Sequence, residues 1–208
     1  MKTQLLIVCI LLISACVKSQ EKTVQKKGVG GPCEGCEAIY EYGTHVLNDI
    51  DTLSGFLSSK QRLKISGIVY KKDGRTPAPD VLLYVYQTNE KGLYPQRKGA
   101  KGWEKRHGYI RGWIKTNVNG EYTLYTFRPA SYPNTTIPQH IHITVKETDK
   151  NEYYLDDFYF DDDPNLTNRI RNRKNFRGGC GIIKLSKNNA RQEATRNFTL
   201  GLNIPNYN

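Results

Sequence analysis

The sequence predicts an all-β protein, a β-sandwich of mostly antiparallel strands with one short C-terminal helix. Short apolar and aromatic runs recur along the chain, each closed by a Gly, Pro, Asn or Asp signal, the pattern of a sandwich. The composition agrees: 14 Tyr, 6 Phe and 2 Trp, against a single Met that is the initiator, favour pleated surfaces over helices. No helical period of useful length appears before Asp163.

The first residues bear on the compartment. Met1-Lys2 leads into an apolar run over residues 5–13, shorter than a bilayer span. It ends in Ile13-Ser14-Ala15-Cys16, which resembles the bacterial lipobox. That resemblance implies that residues 1–15 are a lipoprotein signal peptide. Cys16 then becomes the lipidated first residue of an exported protein, anchored to a membrane in the periplasm or at the cell surface. Residues 16–31 are polar, Lys-rich and Gly-ended, and read as a flexible tether. Residues 32–208 are expected to form one β-sandwich domain, long enough to bury a core. The net charge of +11 could suit an anionic partner. The basic residues are nevertheless spread out, with Asp runs between them, so no nucleic-acid partner is expected.

In an exported chain, Cys33-Glu34-Gly35-Cys36 is expected to close a structural disulfide. No second C-x-x-C exists to complete a zinc site, and no βαβ pattern surrounds the pair. Cys180 is then left as a free, buried thiol, although its pairing with Cys33 or Cys36 stays open.

Strands are expected over residues 63–70, 81–86 and 109–115. Asn117-Val118-Asn119-Gly120 then makes a hairpin turn into a strand over 121–127, with Tyr122, Leu124 and Thr126 on one face. Arg128 to Pro133 turns into the next strand, and another runs over 153–160. Asp161-Asp162-Asp163-Pro164 looks like an acidic helix start, opening a basic helix over 166–175. The same Asp run could attract calcium, but it lacks the spaced ligands of a calcium loop. Gly178-Gly179-Cys180-Gly181 breaks the helix before closing strands at 182–185 and 194–200.

The chemistry gathers at Gln139-His140-Ile141-His142. His140, His142 and Thr144 alternate with Ile141, Ile143 and Val145, so a strand would put both imidazoles on one face and the apolar residues in the core. Two neutral imidazoles two residues apart can share a metal. Tyr132, in the Pro-bracketed turn before the strand, can add a phenolate. Hard anionic oxygen beside imidazole suits iron(III) better than zinc. A second phenolate would have to come from another loop.

The run from Val85 to Tyr94, with its Asn89, Gly92 and Tyr94, resembles the first ligand segment of the intradiol ring-cleavage dioxygenases, the catechol and protocatechuate dioxygenases. Lys115-Thr116-Asn117, Gly120-Glu121-Tyr122, Thr126-Phe127-Arg128-Pro129, Tyr132-Pro133 and His140-Ile141-His142 follow in the family's order. The likeness covers about residues 60 to 160 and points to a short, exported branch without the family's helical dimerisation segment. It implies one Fe(III) per chain, held by Tyr94, Tyr132, His140 and His142. It also implies a catecholic substrate, cleaved by dioxygen between its hydroxylated carbons, and a catalytic role for Tyr132 in deprotonating the diol.

One departure stands out. Where the family usually carries Arg-Pro-Ala before the histidines, this chain has Ile137-Pro138-Gln139. Arg111 or Arg128 could stand in, or could be an ordinary ion-paired arginine on the sheet. Trp103 and His107 could line a pocket mouth or simply pack, and Tyr109 rivals Tyr94 as the second phenol. The alternative to an enzyme is a catalytically silent β-sandwich lipoprotein that binds an aromatic or carbohydrate ligand. Oligomeric state is not readable from the sequence.

Overall fold

The computed structural model describes residues 28–188 and 191–208. The expected signal peptide, the lipidation site Cys16 and most of the tether lie outside them. Among the described residues, twelve strands make two sheets. They are β1 (Ile50–Thr52), β2 (Arg62–Tyr70), β3 (Leu82–Tyr86), β4 (Arg111–Lys115), β5 (Glu121–Phe127), β6 (His140–Lys146), β7 (Tyr153–Tyr154), β8 (Phe158–Phe160), β9 (Ile182–Ile183), β10 (Ser186–Asn188), β11 (Arg191–Thr195) and β12 (Phe198–Thr199). One sheet runs β1-β5-β2-β11-β10, with β12 also on β2; the other runs β4-β3-β6-β8-β9, with β7 also on β6. Antiparallel pairs dominate, and the parallel pairs β1 with β5, β2 with β11 and β12, and β8 with β9 add to them.

The core lies between the sheets. Leu63, Ile65 and Leu124 of the first sheet join Leu83, Val85, Ile114, Ile141, Ile143, Val145 and Phe158 of the second in one buried cluster. Each such aliphatic side chain contributes about 1.5–3 kcal/mol by leaving water. The strand period of two then sends Tyr84, Tyr86, Trp113, His140, His142 and Thr144 to the other face of the second sheet. A short 3₁₀ helix, Cys36–Tyr40, covers one end of that outer face. Its Ala38 and Ile39 pack with Tyr84 and Trp113 in a second, smaller core.

The expected all-β class and the main strands are present, with differences of detail. The strand expected over 153–160 is two short ones. Asp156 breaks it by accepting from the Arg177 amide at 2.5 Å and from Arg173 at 2.7 Å, and Asp157 turns to His142. The last strand divides likewise, into β11 and β12, at Arg196-Asn197. The helix expected over 166–175 shrinks to α2 (Asn168–Arg171), and its cap is Thr167 rather than the Asp run. A second short helix, α1 (Glu104–His107), was not anticipated. Cys33 is joined to Cys36 with the Cα atoms 5.7 Å apart. Cys180 is free but exposed, not buried, its side chain facing solvent between the buried Gly178 and Gly181. Residues 28–31, expected as the end of the tether, are bound to the body: the Gly30 amide donates to the Pro205 carbonyl and the Val29 amide to Asn151. No helix among the described residues is long and apolar enough to cross a membrane.

Candidate metal centre

β6 runs between β3 and β8, with His142 opposite Tyr86 and His140 opposite Tyr159. Its inward residues Ile141 and Ile143 are buried in the main core, which fixes the register and so the outward direction of both imidazoles. Just before the strand, the Pro138 carbonyl accepts from His140 Nδ1 at 2.6 Å. A carbonyl can only accept, so the His140 hydrogen sits on Nδ1 and its Nε2 carries a bare lone pair. The Asp157 carboxylate accepts from His142 Nδ1 at 3.0 Å and fixes the same tautomer there.

Two loops bring the phenols. Asn89 folds the first: its side-chain oxygen accepts from the amides of Lys91 and Leu93, and its carbonyl from the Gly92 amide. Gly92 has φ +75°, and a β-carbon there would collide with the Ser131 carbonyl, so only glycine lets this turn lie against the second loop. The loops are stitched together by Thr88 Oγ1 donating to the Ala130 carbonyl at 2.7 Å and by the Ala130 amide donating to Asn89. Tyr94 and Tyr132 are thereby delivered to the same point.

There the four side chains meet. The hydroxyls of Tyr94 and Tyr132 are 2.5 Å apart, and Tyr94 Oη is 3.0 Å from His142 Nε2. Tyr132 Oη lies 3.2 Å from His140 Nε2 and 3.3 Å from His142 Nε2, and the two Nε2 atoms are 3.1 Å from each other. Two imidazole lone pairs facing one another cannot satisfy each other, and only two phenolic hydrogens are available to four acceptor atoms. Burial pushes both phenols above the ordinary tyrosine range, and the hydrogen bond with Tyr132 raises Tyr94 further. Burial, with His142 beside it, lowers His140, so its imidazole stays neutral. A cation at the centre would satisfy both lone pairs and hold the phenols as phenolates. Two phenolate oxygens and two imidazole nitrogens are a donor set that fits Fe(III).

His140, His142 and Asp157 bring potential ligand atoms within 4.8 Å of one another. Asp157, however, is engaged at Nδ1 of His142, on the side away from the four converging atoms, so its place is to orient that ring rather than to ligate. Burial works against its ionisation, but the hydrogen bond from His142 and the nearby Arg196 guanidinium outweigh this and hold its carboxyl below the usual range. The sequence reading missed Asp157. The only hint was an acidic pair interrupting the aromatic run 153–160.

The other candidates lie elsewhere. Tyr109 packs against the core beneath the Arg97 guanidinium, 5.0 Å from its ring. Arg111 pairs with Glu41 at 2.7 Å. Arg128 holds Asp162 through both terminal nitrogens and donates to Gln139 at 2.7 Å. Neither arginine is turned to the site, and Ile137 is exposed. The Asp run is structural: Asp162 takes Arg128, Asp161 takes Arg171, and Asp163 accepts the Gln139 amide at 2.6 Å, bracing the loop before His140. Trp103 and His107 belong to the packing around Tyr84 and Tyr86.

No protein-family model matches the sequence, and no curated protein sequence matches it. Solved structures do. The dioxygenase domain of a dioxygenase–carbohydrate-binding protein fusion from Streptomyces sp. SirexAA-E superposes with a TM-score of 0.54 at 24% identity, over 72% of this chain and 85% of that one. The 3-chlorocatechol 1,2-dioxygenase of Rhodococcus opacus 1CP gives a TM-score of 0.55 at 21% identity, over 83% of this chain and 70% of that one. The fold is that of the intradiol dioxygenases. Catechol 1,2-dioxygenase of Pseudomonas arvilla C-1 matches with a TM-score of 0.56 at 13% identity, over 83% of this chain. The chain spans only 60% of that enzyme's length and 62% of the hydroxyquinol 1,2-dioxygenase of Pseudomonas putida DLL-E4.

Proposed function

We propose that the chain is an Fe(III)-dependent intradiol ring-cleavage dioxygenase, using dioxygen to open a catecholic compound between its two hydroxylated carbons to a dicarboxylic acid. The observation that carries this reading is the convergence of Tyr94, Tyr132, His140 and His142 through their four donor atoms. These residues hold one iron per chain. The ferric ion, when bound, balances the phenolate charge and activates the substrate toward dioxygen. Tyr132, on the loop between β5 and β6, accepts a hydroxyl proton from the catechol at Oη. Tyr94, the more deeply set of the two phenols, holds its place throughout. The Pro138 carbonyl and Asp157 keep both Nε2 atoms aimed inward.

The second reading is a silent sandwich that binds an aromatic or carbohydrate ligand. It draws on Ile137, 45% exposed where the resembling family places an arginine, with Arg111 and Arg128 both tied up in ion pairs. Oxygen uptake on adding catechol to the iron-loaded protein, with chromatography of the products, separates the two. Stoichiometric uptake with a ring-opened diacid supports the enzyme; no uptake by iron-loaded protein contradicts it. The apolar run and Ile13-Ser14-Ala15-Cys16 support export and lipidation at Cys16, placing the domain on a membrane outside the cytosol. Cys16→Ser is then expected to leave the precursor unprocessed or released from membranes; normal maturation of the variant contradicts the anchor.

A further inference from the structure

The outer face of the second sheet carries a line of aromatic rings that starts at the metal centre and ends at a surface cleft. The strand register lays it out. In the order β4-β3-β6, Trp113 of β4 stands opposite Tyr84 of β3, and Tyr86 of β3 stands opposite His142 of β6. The strand period of two puts Tyr84 and Tyr86 on one face. His142 therefore stacks on Tyr86 with ring centroids 4.4 Å apart, Tyr86 stacks on Tyr84 at 5.6 Å, and Tyr84 meets Trp113 at 5.2 Å. Tyr94 reaches the same Tyr86 ring at 5.8 Å. Trp113 lines an open cleft of about 630 Å³ beside Tyr42 and His45.

The choice of rings is specific. The small outer core and the residues packed on it hold three tyrosines and two tryptophans but no phenylalanine, while four buried phenylalanines lie in the inner core. Phenol and indole rings give up an electron far more readily than a phenyl ring. A phenol does so only if its proton leaves as well, and Tyr84 has a base for it. Its hydroxyl lies 2.9 Å from His107 Nδ1 and makes no other hydrogen bond among the described residues, so its hydrogen points to that nitrogen. Burial lowers His107 to about 4 and keeps the imidazole neutral, ready to accept. Arg111 lies 5.1 Å over the Trp113 ring, but Glu41 at 2.7 Å offsets its charge.

Building on the proposed function, we propose that this line carries oxidising equivalents from the metal centre to the surface, so that hydrogen peroxide is reduced there without destroying the four converging side chains. Each passage removes one electron from Tyr84 by way of the Tyr86 ring and moves the phenolic proton to His107 Nδ1, leaving a neutral tyrosyl radical. Trp113 then gives an electron to Tyr84, which recovers its proton from His107. A reductant in the cleft, such as ascorbate, restores Trp113. Two passages, with two protons from solvent, reduce one hydrogen peroxide to two waters.

Radical detection and damage mapping test this independently of turnover. The iron-loaded full-length protein is mixed with hydrogen peroxide without catechol, freeze-quenched for electron paramagnetic resonance, and digested for mass mapping of oxidised residues. A tyrosyl radical and oxidation at Trp113 are expected. Tyr84→Phe keeps the ring packing but should lose most of both signals, while oxidation of the four converging residues and release of iron rise several-fold. His107→Leu keeps the phenol but removes its proton acceptor, and should act in the same direction, which a packing role for Tyr84 would not require. Where Tyr84→Phe fails to load iron, Trp113→Phe decides: the tyrosyl radical should then outlast the parent's, and an unchanged lifetime overturns the inference. Trp113 oxidation that is unchanged in Tyr84→Phe, or that is equal in protein loaded with redox-inert gallium(III), means attack from solvent and overturns it too. So does a parent damaged only at the four converging residues. These outcomes leave the proposed function standing, whereas a protein that takes up no iron removes both.

Discussion

His107 and His142 both stack on Tyr86, with ring centroids 3.8 and 4.4 Å away, one on each face, yet the two imidazoles end in different surroundings. His107 is buried, shares a 2.9 Å hydrogen bond with the buried Tyr84 hydroxyl, and has Gly35 of the disulfide loop against its Nε2 edge. Its Nδ1 is met by Tyr84 and its ring packs between Tyr86 and Trp103. His142 has one nitrogen met by Asp157 and the other pointed at a second lone pair and two phenols. The same sheet face thus carries a histidine that completes a core and a histidine whose hydrogen bonding is left incomplete without a ligand. Residue type and aromatic company do not separate them; what the second ring nitrogen faces does.

Substitution should split the two settings cleanly. His140→Ala or His142→Ala is expected to abolish iron binding while leaving the melting temperature close to the parent. Ile141→Ala, between them in sequence but in the core, should do the reverse, retaining iron at a cost of about 2–5 kcal/mol. Metal analysis beside thermal melts checks both. If the histidine variants keep full iron, the centre lies elsewhere.

His107→Leu should keep iron and cost about 1–3 kcal/mol, since the Tyr84 hydroxyl is left buried without a partner. The loss should depend on pH. Burial, with His142 and Arg111 nearby, lowers His107 to about 4, against 6.5 in an unfolded chain. Between those values the unfolded state binds a proton that the folded state does not. The contribution of His107 is therefore complete above pH 6.5 and falls away as the pH drops towards 4, by up to about 3 kcal/mol. The stability gap between parent and His107→Leu, measured by denaturant unfolding across that window, should narrow on acidification. A constant gap would mean that His107 titrates normally.

The smallest effect is expected at the disulfide. Cys33 and Cys36 are three residues apart and close little chain, so the Cys33→Ser, Cys36→Ser double variant should lose only about 1–2 kcal/mol. A much larger loss would show that the loop over Gly35 and His107 depends on the bond.

The comparison also explains what the sequence allowed to be read. The alternation His140-Ile141-His142-Ile143 carried its own geometry, because a period of two on a strand assigns every side chain to a face. Tyr94 came only from the family resemblance of the segment with Asn89 and Gly92, whereas Tyr132 was readable from its Pro-bracketed turn just before the strand. Asp157 was not, because its value lies in reaching across to a histidine 15 residues away, and an acidic pair in an aromatic run has many uses. Asp161–Asp163 was misjudged as a helix start for the same reason: a helix cap, a calcium cluster and a braced loop share one local sequence, whereas Arg128 is the ion-paired arginine that was one of its two readings. The parallel edge pairs, such as β8 with β9, carry no pattern that distinguishes them from antiparallel ones at two or three residues' length.

The central claim, a ferric centre built from two tyrosines and two histidines, is tested most directly by the visible spectrum and iron content of the protein purified without chelators. The account predicts a coloured protein with one iron per chain, whose tyrosinate-to-iron band shifts when catechol is added and is altered, though not abolished, in Tyr132→Phe. A protein that stays colourless after ferric iron is supplied, or whose colour is untouched by Tyr94→Phe and Tyr132→Phe alike, would contradict it.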